Sequence, residues 1–207
     1  MYQPPQFKST DSAHAVRIMR EHPFASLISN DDAGLPFVSH IPLHLLASGD
    51  DVTQWKLLGH VAKPNPHWRY LAARPKALVT FMGPQAYMSP AVYLIGARAT
   101  WSYLAVHAVV QARILEGNEA KDALLKALIA DHEPAYAQQW IDLGQAYQHK
   151  MLQGIVAFEL AIESLECKIK INQHRPESHA AMHAAYTQGS AQEKALAAWM
   201  QDLGLAG

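Results

Sequence analysis

The clearest two-residue periodicity in the chain runs over residues 37–46 and predicts a half-buried β-strand. Its odd-numbered positions are mainly apolar, and we predict that they point to the core, while Val38, His40, Pro42 and His44 share the opposite face. Because proline has no N–H to donate to a strand ladder, Pro42 places this strand at a sheet edge or at a β-bulge.

Further segments have the apolar composition and the flanking turn residues of strands. They cover residues 24–29, a run ending near 62, 77–82, 86–88, 101–115 and 154–165. Gly83 and Pro84 predict a turn between two of these strands. Strands joined by tight turns and closed by a late strand predict an α+β, mainly β fold, a small antiparallel barrel with helical additions.

A different pattern, in which apolar residues recur every three or four positions, predicts helices. The first is capped by Thr10, ends near residue 21 and turns Ala13, Val16 and Met19 to the core. The others are a short helix over 66–73, a two-helix insertion at about 118–150 whose second helix begins near Pro134, and a tail at about 176–207 that ends in a helix over 190–203.

Composition fits one soluble globular domain over residues 1–207. Half of the chain is apolar and 17% is charged, and the net charge of −1 argues against a strongly basic nucleic-acid surface. The single cysteine, Cys167, has apolar neighbours that predict a packed side chain. Neither a signal-peptide pattern nor an apolar run of about 18 residues is present in the sequence, so we expect a cytoplasmic protein.

The segment 59–68 carries the most chemical information. Two leucines lead into His60, then Lys63, then Asn65, in an order that predicts a strand, a turn and a helix start with a fixed cation at the turn. A helix start offers unpaired N–H groups and suits an anion such as a phosphate. An ordinary strand-to-helix turn is the alternative interpretation of the same segment.

Several motifs together resemble the PaiB family, whose members are described as FMN-binding negative transcriptional regulators. The motifs are Met1-Tyr2-x-Pro4, Ser39-His40-Ile41-Pro42-Leu43, Gly59-His60-Val61-Ala62-Lys63-Pro64-Asn65-Pro66, Gly83-Pro84-x-Ala86-Tyr87-x-Ser89-Pro90, Thr100-Trp101-x-Tyr103 with Val106-His107, and Gln173 with Arg175. The resemblance implies a flavin-reductase-like, FMN-binding split β-barrel, here with an inserted helical hairpin and terminal helices. Such proteins are usually homodimers that hold FMN in the cleft between subunits.

The resemblance also implies a set of cofactor-binding residues. Lys63 would contact the FMN phosphate, Asn65 would cap the helix, and His60 would lie near the flavin or its ribityl chain. The remaining implied site residues are Val61 and Ala62 from the same block, Ser39, His40 and Pro42 from a neighbouring strand, Trp101, Tyr103 and His107 as walls of the cleft, and Gln173 and Arg175, with Arg175 as a second phosphate cation.

Three functions stay open at this stage. The first is an FMN-binding regulator of the PaiB type, and the second is an FMN-dependent oxidoreductase acting on a small substrate, in which His60 or His107 could serve as acid or base. The third is an interaction protein that kept the fold and lost the site, since Val92, Ser102 and His174 depart from the family pattern.

Other chemistry has less support in the sequence. His179 and His183 would share a face of a helix, yet no third ligand lies nearby, so we expect surface histidines and no metal site. Ser89 lacks the Gly-x-Ser-x-Gly pattern of a nucleophile elbow. DNA as a partner rests on the family resemblance, because Arg17, Arg20, Arg69 and Arg74 are scattered along the chain.

Overall fold

A computed structural model describes residues 1–92 and 99–206 of the protein. Among these residues, eight strands form one mainly antiparallel sheet. The strands are β1 (Lys8–Ser9), β2 (Phe24–Asn30), β3 (Pro36–Pro42), β4 (His44–Leu46), β5 (Lys56–Ala62), β6 (Lys76–Met88), β7 (Thr100–Leu115) and β8 (Ile155–Lys170). Their order in the sheet is β3-β2-β6-β7-β8-β5-β4, and β1 pairs with β8.

The sheet is that of a split barrel, and it is not closed. Strands β3 and β4 follow each other in the chain but stand at opposite ends of the strand order. The continuous strand predicted over 37–46 is interrupted between Pro42 and His44. The edge position predicted for Pro42 is confirmed, because β3 pairs only with β2 within the described sheet.

Seven α-helices accompany the sheet in the described part of the chain. They are α1 (Ser12–Glu21), α2 (His67–Ala73), α3 (Asn118–His132), α4 (Tyr136–Asp142), α5 (Gln145–Gln153), α6 (His179–Thr187) and α7 (Ala191–Asp202). Helix α7, predicted over 190–203, begins with a capping box formed by Ser190 and Glu193. Among the described residues, none of the helices combines the length and the apolar character that a membrane crossing requires.

The start of α1 differs from the prediction. The carboxylate of Asp11, and not Thr10, accepts the hydrogen bond from the Ala13 N–H, at 2.9 Å. The buried positions are Ala15, Ile18 and Met19, whereas Ala13 is exposed. The predicted core stripe of Ala13, Val16 and Met19 was therefore wrong except at Met19, because the helix is rotated relative to that stripe.

Two compact units divide the described residues. The first unit comprises those of Met1–Glu21, Met82–Val106 and Glu166–Gly207, and the second comprises His22–Phe81 and His107–Leu165. Within the second unit, Gly59 of β5 lies so close to its neighbours that an added Cβ would collide with Leu43 and stand 3.1 Å from the Phe158 ring. This position is therefore one where only glycine fits without a shift of the core.

The turn predicted at Gly83-Pro84 is absent, since β6 runs unbroken from Lys76 to Met88. Gly83 lies in the first unit against β7, where an added Cβ would stand 3.0 Å from the Leu104 Cβ. The glycine therefore permits close approach of two strands and does not bend the chain. Strand β8 is also longer than predicted and continues to Lys170.

The predicted insertion between β7 and β8 is confirmed, but it contains three helices, since α4 ends and α5 begins around Gly144, which has φ 75°. Helix α3 packs Leu124 and Leu128 against Ala157 of β8. Because Ala157 is the cross-strand partner of His60, the insertion packs on the sheet face to which His60 belongs.

Candidate functional site

The β5–α2 turn, residues 62–66, is held by three hydrogen bonds around Lys63. The Lys63 N–H donates to the Gly154 carbonyl at 2.8 Å, and the Asn65 N–H donates to the Ala62 carbonyl at 2.8 Å. The Trp68 indole N–H in turn donates to the Lys63 carbonyl at 3.0 Å. The backbone at Lys63 is fixed on both sides, so the position from which its side chain leaves is fixed as well.

The Lys63 side chain itself is exposed. Within residues 1–92 and 99–206 it takes part in no ion pair with a carboxylate; the lysines that do are Lys56, Lys76 and Lys126. An unpaired cation on a rigid turn is available to an incoming anion, because no internal salt bridge has to break first. This is the geometry that the sequence predicts for a phosphate contact.

A buried hydrogen-bonded network connects this turn to β3. The side-chain Oδ1 of Asn65 accepts from the N–H of His67, the first residue of α2, at 3.0 Å, and the side-chain amide of Asn65 donates to Ser39 Oγ at 3.1 Å. Ser39 Oγ also lies 2.8 Å from His67 Nδ1. A serine hydroxyl has one donor and two acceptor lone pairs, so Ser39 can donate to His67 Nδ1 or accept from it, and this choice sets the tautomer of His67.

His67 is the functional side chain that the sequence analysis missed. It has no measurable exposure, and burial lowers its pKa to about 4. The ring is therefore neutral at neutral pH and positions Ser39 and the turn. The signal available in the sequence was its place two residues after a capping Asn and four before the buried Leu71.

His60 is half-buried on β5, three residues before Lys63. Its Nδ1 atom is buried and has no hydrogen-bond partner among the described residues, and burial lowers its pKa. A neutral imidazole with an unused ring nitrogen can accept or donate one hydrogen bond to a bound molecule.

The other predicted site residues are divided between the two units. In the second unit, His40 is exposed, and its Nδ1 lies 3.0 Å from Ser26 Oγ. The other residues of this unit differ in exposure: Val61 is buried, Pro42 and His107 are half-buried, and Ala62 is exposed. In the first unit lie Trp101, Tyr103, Gln173 and Arg175. The structure thus brings Ser39, Asn65 and the Lys63 turn together within one unit.

Gln173 and Arg175 already have partners of their own. The side-chain Oε1 of Gln173 accepts from the Ile171 N–H at 2.9 Å, and its side-chain amide donates to the backbone carbonyl of Ile169. Arg175 lies 3.8 Å from the carboxylate of Glu177. The side chains of Gln173 and Arg175 thus bond to residues at or just after the end of β8.

Of the two histidines expected at the surface, His179 and His183, the structure buries His179. The Nε2 of His179 donates to the Asn172 carbonyl at 3.0 Å. Among residues 1–92 and 99–206 no group of three or more His, Cys, Asp or Glu side chains has the arrangement of a metal site. Cys167 is packed as predicted, and burial raises the pKa of its thiol to about 12.

Comparison with known proteins agrees with this fold. Residues 1–164 match the family described as "Putative FMN-binding domain". The chain is 31% identical to the protease synthase and sporulation protein PAI 2 of Bacillus subtilis over 180 residues, which is 86% of this chain and 84% of that protein.

Solved structures share the fold at low sequence identity. The FAD- and heme-binding protein of Mycobacterium smegmatis has a TM-score of 0.62 at 20% identity, over 80% of this chain and 74% of that one. The flavocytochrome Anf3 of Azotobacter vinelandii has a TM-score of 0.60 at 15% identity, over 80% and 70% of the two chains.

The fold and the turn define an FMN-binding protein with a split β-barrel. Within that class, the chain belongs to the PaiB family of FMN-binding domains, as its motifs predict. Its cofactor is FMN.

The side chains present at the turn fit this cofactor. Lys63 offers an unpaired cation to a phosphate, and His60 offers a buried ring nitrogen that lacks a partner among the described residues. Bound FMN supplies hydride or electron transfer. Lys63 and His60 would hold and orient it, and the neutral His60 can hold or donate a proton at Nδ1.

Proposed function

We propose that the protein is a homodimeric FMN-binding protein of the PaiB type that acts as a negative transcriptional regulator, with the FMN phosphate at Lys63. One observation carries the cofactor assignment: an exposed, unpaired lysine on a turn that hydrogen bonds fix to β3 through Asn65 and Ser39 and to residue 154. A preorganised cation loses little conformational freedom when it binds an anion.

Removing the Lys63 charge is expected to weaken FMN binding. A charge-assisted hydrogen bond contributes about 1.5–3 kcal/mol, so Lys63→Ala should raise the Kd about tenfold or more. Isothermal titration calorimetry with FMN measures this directly. Lys194→Ala removes an equally exposed lysine of α7 and should leave the Kd unchanged. An unchanged Kd for Lys63→Ala would show that the FMN phosphate does not bind at this turn.

The proposed dimer uses the exposed face of β2 and β3. Phe24 is 67% exposed and Val38 is 44% exposed, and Pro42 is the cross-strand partner of Phe24. An apolar face beside a free strand edge is the type of surface that a second subunit covers. The free edge of β3 supplies unpaired backbone groups to such a contact.

A charge in this face is expected to separate the subunits. Val38→Lys places an ammonium group where the proposed interface is apolar, and sedimentation velocity should then show a monomer in place of a dimer. Ile141→Lys alters an exposed apolar residue of α4 outside this face and serves as the matched control. If wild-type protein sediments as a monomer, the dimer proposal fails without any variant.

Direct DNA contact has weak support in the structure. Of the arginines considered for a basic patch, Arg17 is bound to Glu21 and Asp202, and Arg74 is bound to Asp32. We therefore propose that regulation depends on whether FMN is bound and does not require direct contact with DNA. Salt-sensitive binding to promoter DNA in a mobility-shift assay would contradict this proposal.

The second candidate function is an FMN-dependent oxidoreductase, and the observation that favours it is the neutral, partly buried His60 with its unused Nδ1. Bleaching of the bound flavin by NADH or NADPH under anaerobic conditions tests it. Bleaching by the nicotinamide cofactor, followed by recovery of the flavin absorbance when an oxidising substrate is added, supports the enzyme, and an unbleached flavin supports the regulator.

A further inference from the structure

We propose that one face of the first unit binds a planar aromatic anion other than FMN, a small aromatic carboxylate or phosphate ester. Trp101 and Tyr103, which the family resemblance implies as walls of the FMN cleft, are assigned here to this second ligand. This face, which we call the lysine–aromatic face, consists of Tyr87 on β6, Trp101 and Tyr103 on β7, and Lys168 and Lys170 on β8. The three strands are neighbours in the sheet, so aromatic rings and ammonium groups stand side by side.

The aromatic part of the face is open to solvent. Trp101 is 54% exposed and Tyr87 is 49% exposed, and their rings contact each other edge to face with centroids 6.3 Å apart. An indole held in this way keeps much of its surface free for a flat ligand. Large aromatic groups exposed together commonly mark a binding surface.

The cationic part consists of two adjacent lysines that the protein does not neutralise. Lys168 is only 6% exposed, and its ammonium donates to the Tyr2 carbonyl at 3.0 Å. Lys170 donates to Thr100 Oγ1 at 2.5 Å and to the Trp101 carbonyl. Among the described residues neither lysine has a carboxylate within ion-pair distance, since the ion pairs of the chain involve other lysines.

Both ammonium groups lie near the Tyr103 ring, at 5.1 Å for Lys168 and 5.8 Å for Lys170 from its centroid. A cation–π contact leaves each ammonium group without a full counter-charge. Burial, together with the charge of Lys168, lowers the pKa of Lys170. An anion bound between the two lysines would relieve both effects.

The remaining charges on this side of β8 leave a positive balance. Glu166 accepts a hydrogen bond from the amino group of Met1 and is thereby neutralised. Lys8 of β1 is the cross-strand partner of Lys168 and adds a third ammonium group. The lysine–aromatic face therefore carries Lys168 and Lys170, with Lys8 beside them, while the nearby carboxylate of Glu166 is paired with the amino group of Met1.

The spacing of the strands sets the size of the ligand. Neighbouring strands lie about 4.8 Å apart, so a ring stacked on Trp101 and an anionic group at the lysines of β8 are separated by roughly one to two strand spacings. A one- or two-ring aromatic carboxylate has these dimensions. Its flat ring would stack on Trp101, and its carboxylate would bind the lysines of β8.

The test is calorimetric titration of wild-type protein with 2-naphthoate at constant ionic strength, beside the uncharged 2-naphthalenemethanol. We expect saturable binding of the carboxylate at least tenfold tighter than that of the alcohol. Lys170→Met should weaken naphthoate binding about tenfold, and Trp101→Ala severalfold. Lys194→Met should have no effect. Circular dichroism verifies that each variant is folded, and Lys168→Met provides a second charge removal.

Three results would overturn the proposal. Equal affinity for the carboxylate and the alcohol would show that the lysines do not select an anion. Competitive displacement of naphthoate by FMN would assign the face to the cofactor site, and this result leaves the proposed FMN function standing. Displacement by decathymidylate at lower concentration than by any small anion would show a surface for single-stranded nucleic acid.

Discussion

Replacing Phe158 by alanine is expected to lower the free energy of unfolding by about 4 kcal/mol. Its side chain has no measurable exposure, and its ring lies next to Gly59, the glycine whose missing side chain makes room for Leu43. Truncation removes the transfer free energy of the ring and leaves a cavity that the paired strands β5 and β8 cannot close.

Urea unfolding followed by circular dichroism measures this loss as a shift of the midpoint at constant slope. Ile141→Ala removes a side chain that is 57% exposed and should change the free energy by less than about 1 kcal/mol. A loss at Phe158 no larger than at Ile141 would mean that β5 and β8 do not share a packed core.

Acidification from pH 7.5 to 5 is expected to cost about 2 kcal/mol of stability through His67 alone. The unfolded ring binds a proton below a pH of about 6.5, whereas in the folded protein the pKa is lowered to about 4 by burial. The unfolded state therefore binds more protons between these values, and lowering the pH favours unfolding. His60 contributes in the same direction, because burial lowers its pKa as well.

The variant His67→Gln isolates this contribution, since glutamine cannot titrate. Urea midpoints at pH 7.5 and 5 should differ less in the variant than in the wild type, by about 2 kcal/mol after conversion. His132→Gln, at an exposed residue near the end of α3, should keep the full wild-type dependence. An undiminished dependence in His67→Gln would show that His67 is protonated or accessible in the folded state.

The sequence predicts the elements of this fold better than it predicts where they bend. The apolar residues of 101–115 and the amphipathic pattern of 190–203 identify β7 and α7, because local pattern and tertiary burial agree there. The turn predicted at Gly83-Pro84 was wrong, because the glycine leaves room for Leu104, a residue distant in sequence. A single sequence does not reveal such a neighbour.

The candidate site shows the same division. Lys63 and Asn65 follow from their own segment, because an Asn before a helix has a local capping role. The part played by His67 depends on Ser39, which lies 28 positions earlier and reaches it only through the folded sheet. Gln173, predicted at the site from family resemblance, bonds to its own strand end, which motif spacing does not show.

The hydrogen bond from Lys63 to Gly154 has a consequence for the evolution of this architecture. Residue 154 is the last residue before β8, so the end of the helical insertion is tied to the β5–α2 turn by this hydrogen bond. Sequence change in the insertion is therefore tolerated where it preserves two features, the carbonyl of residue 154 at the turn and the packing of Leu124 and Leu128 on Ala157.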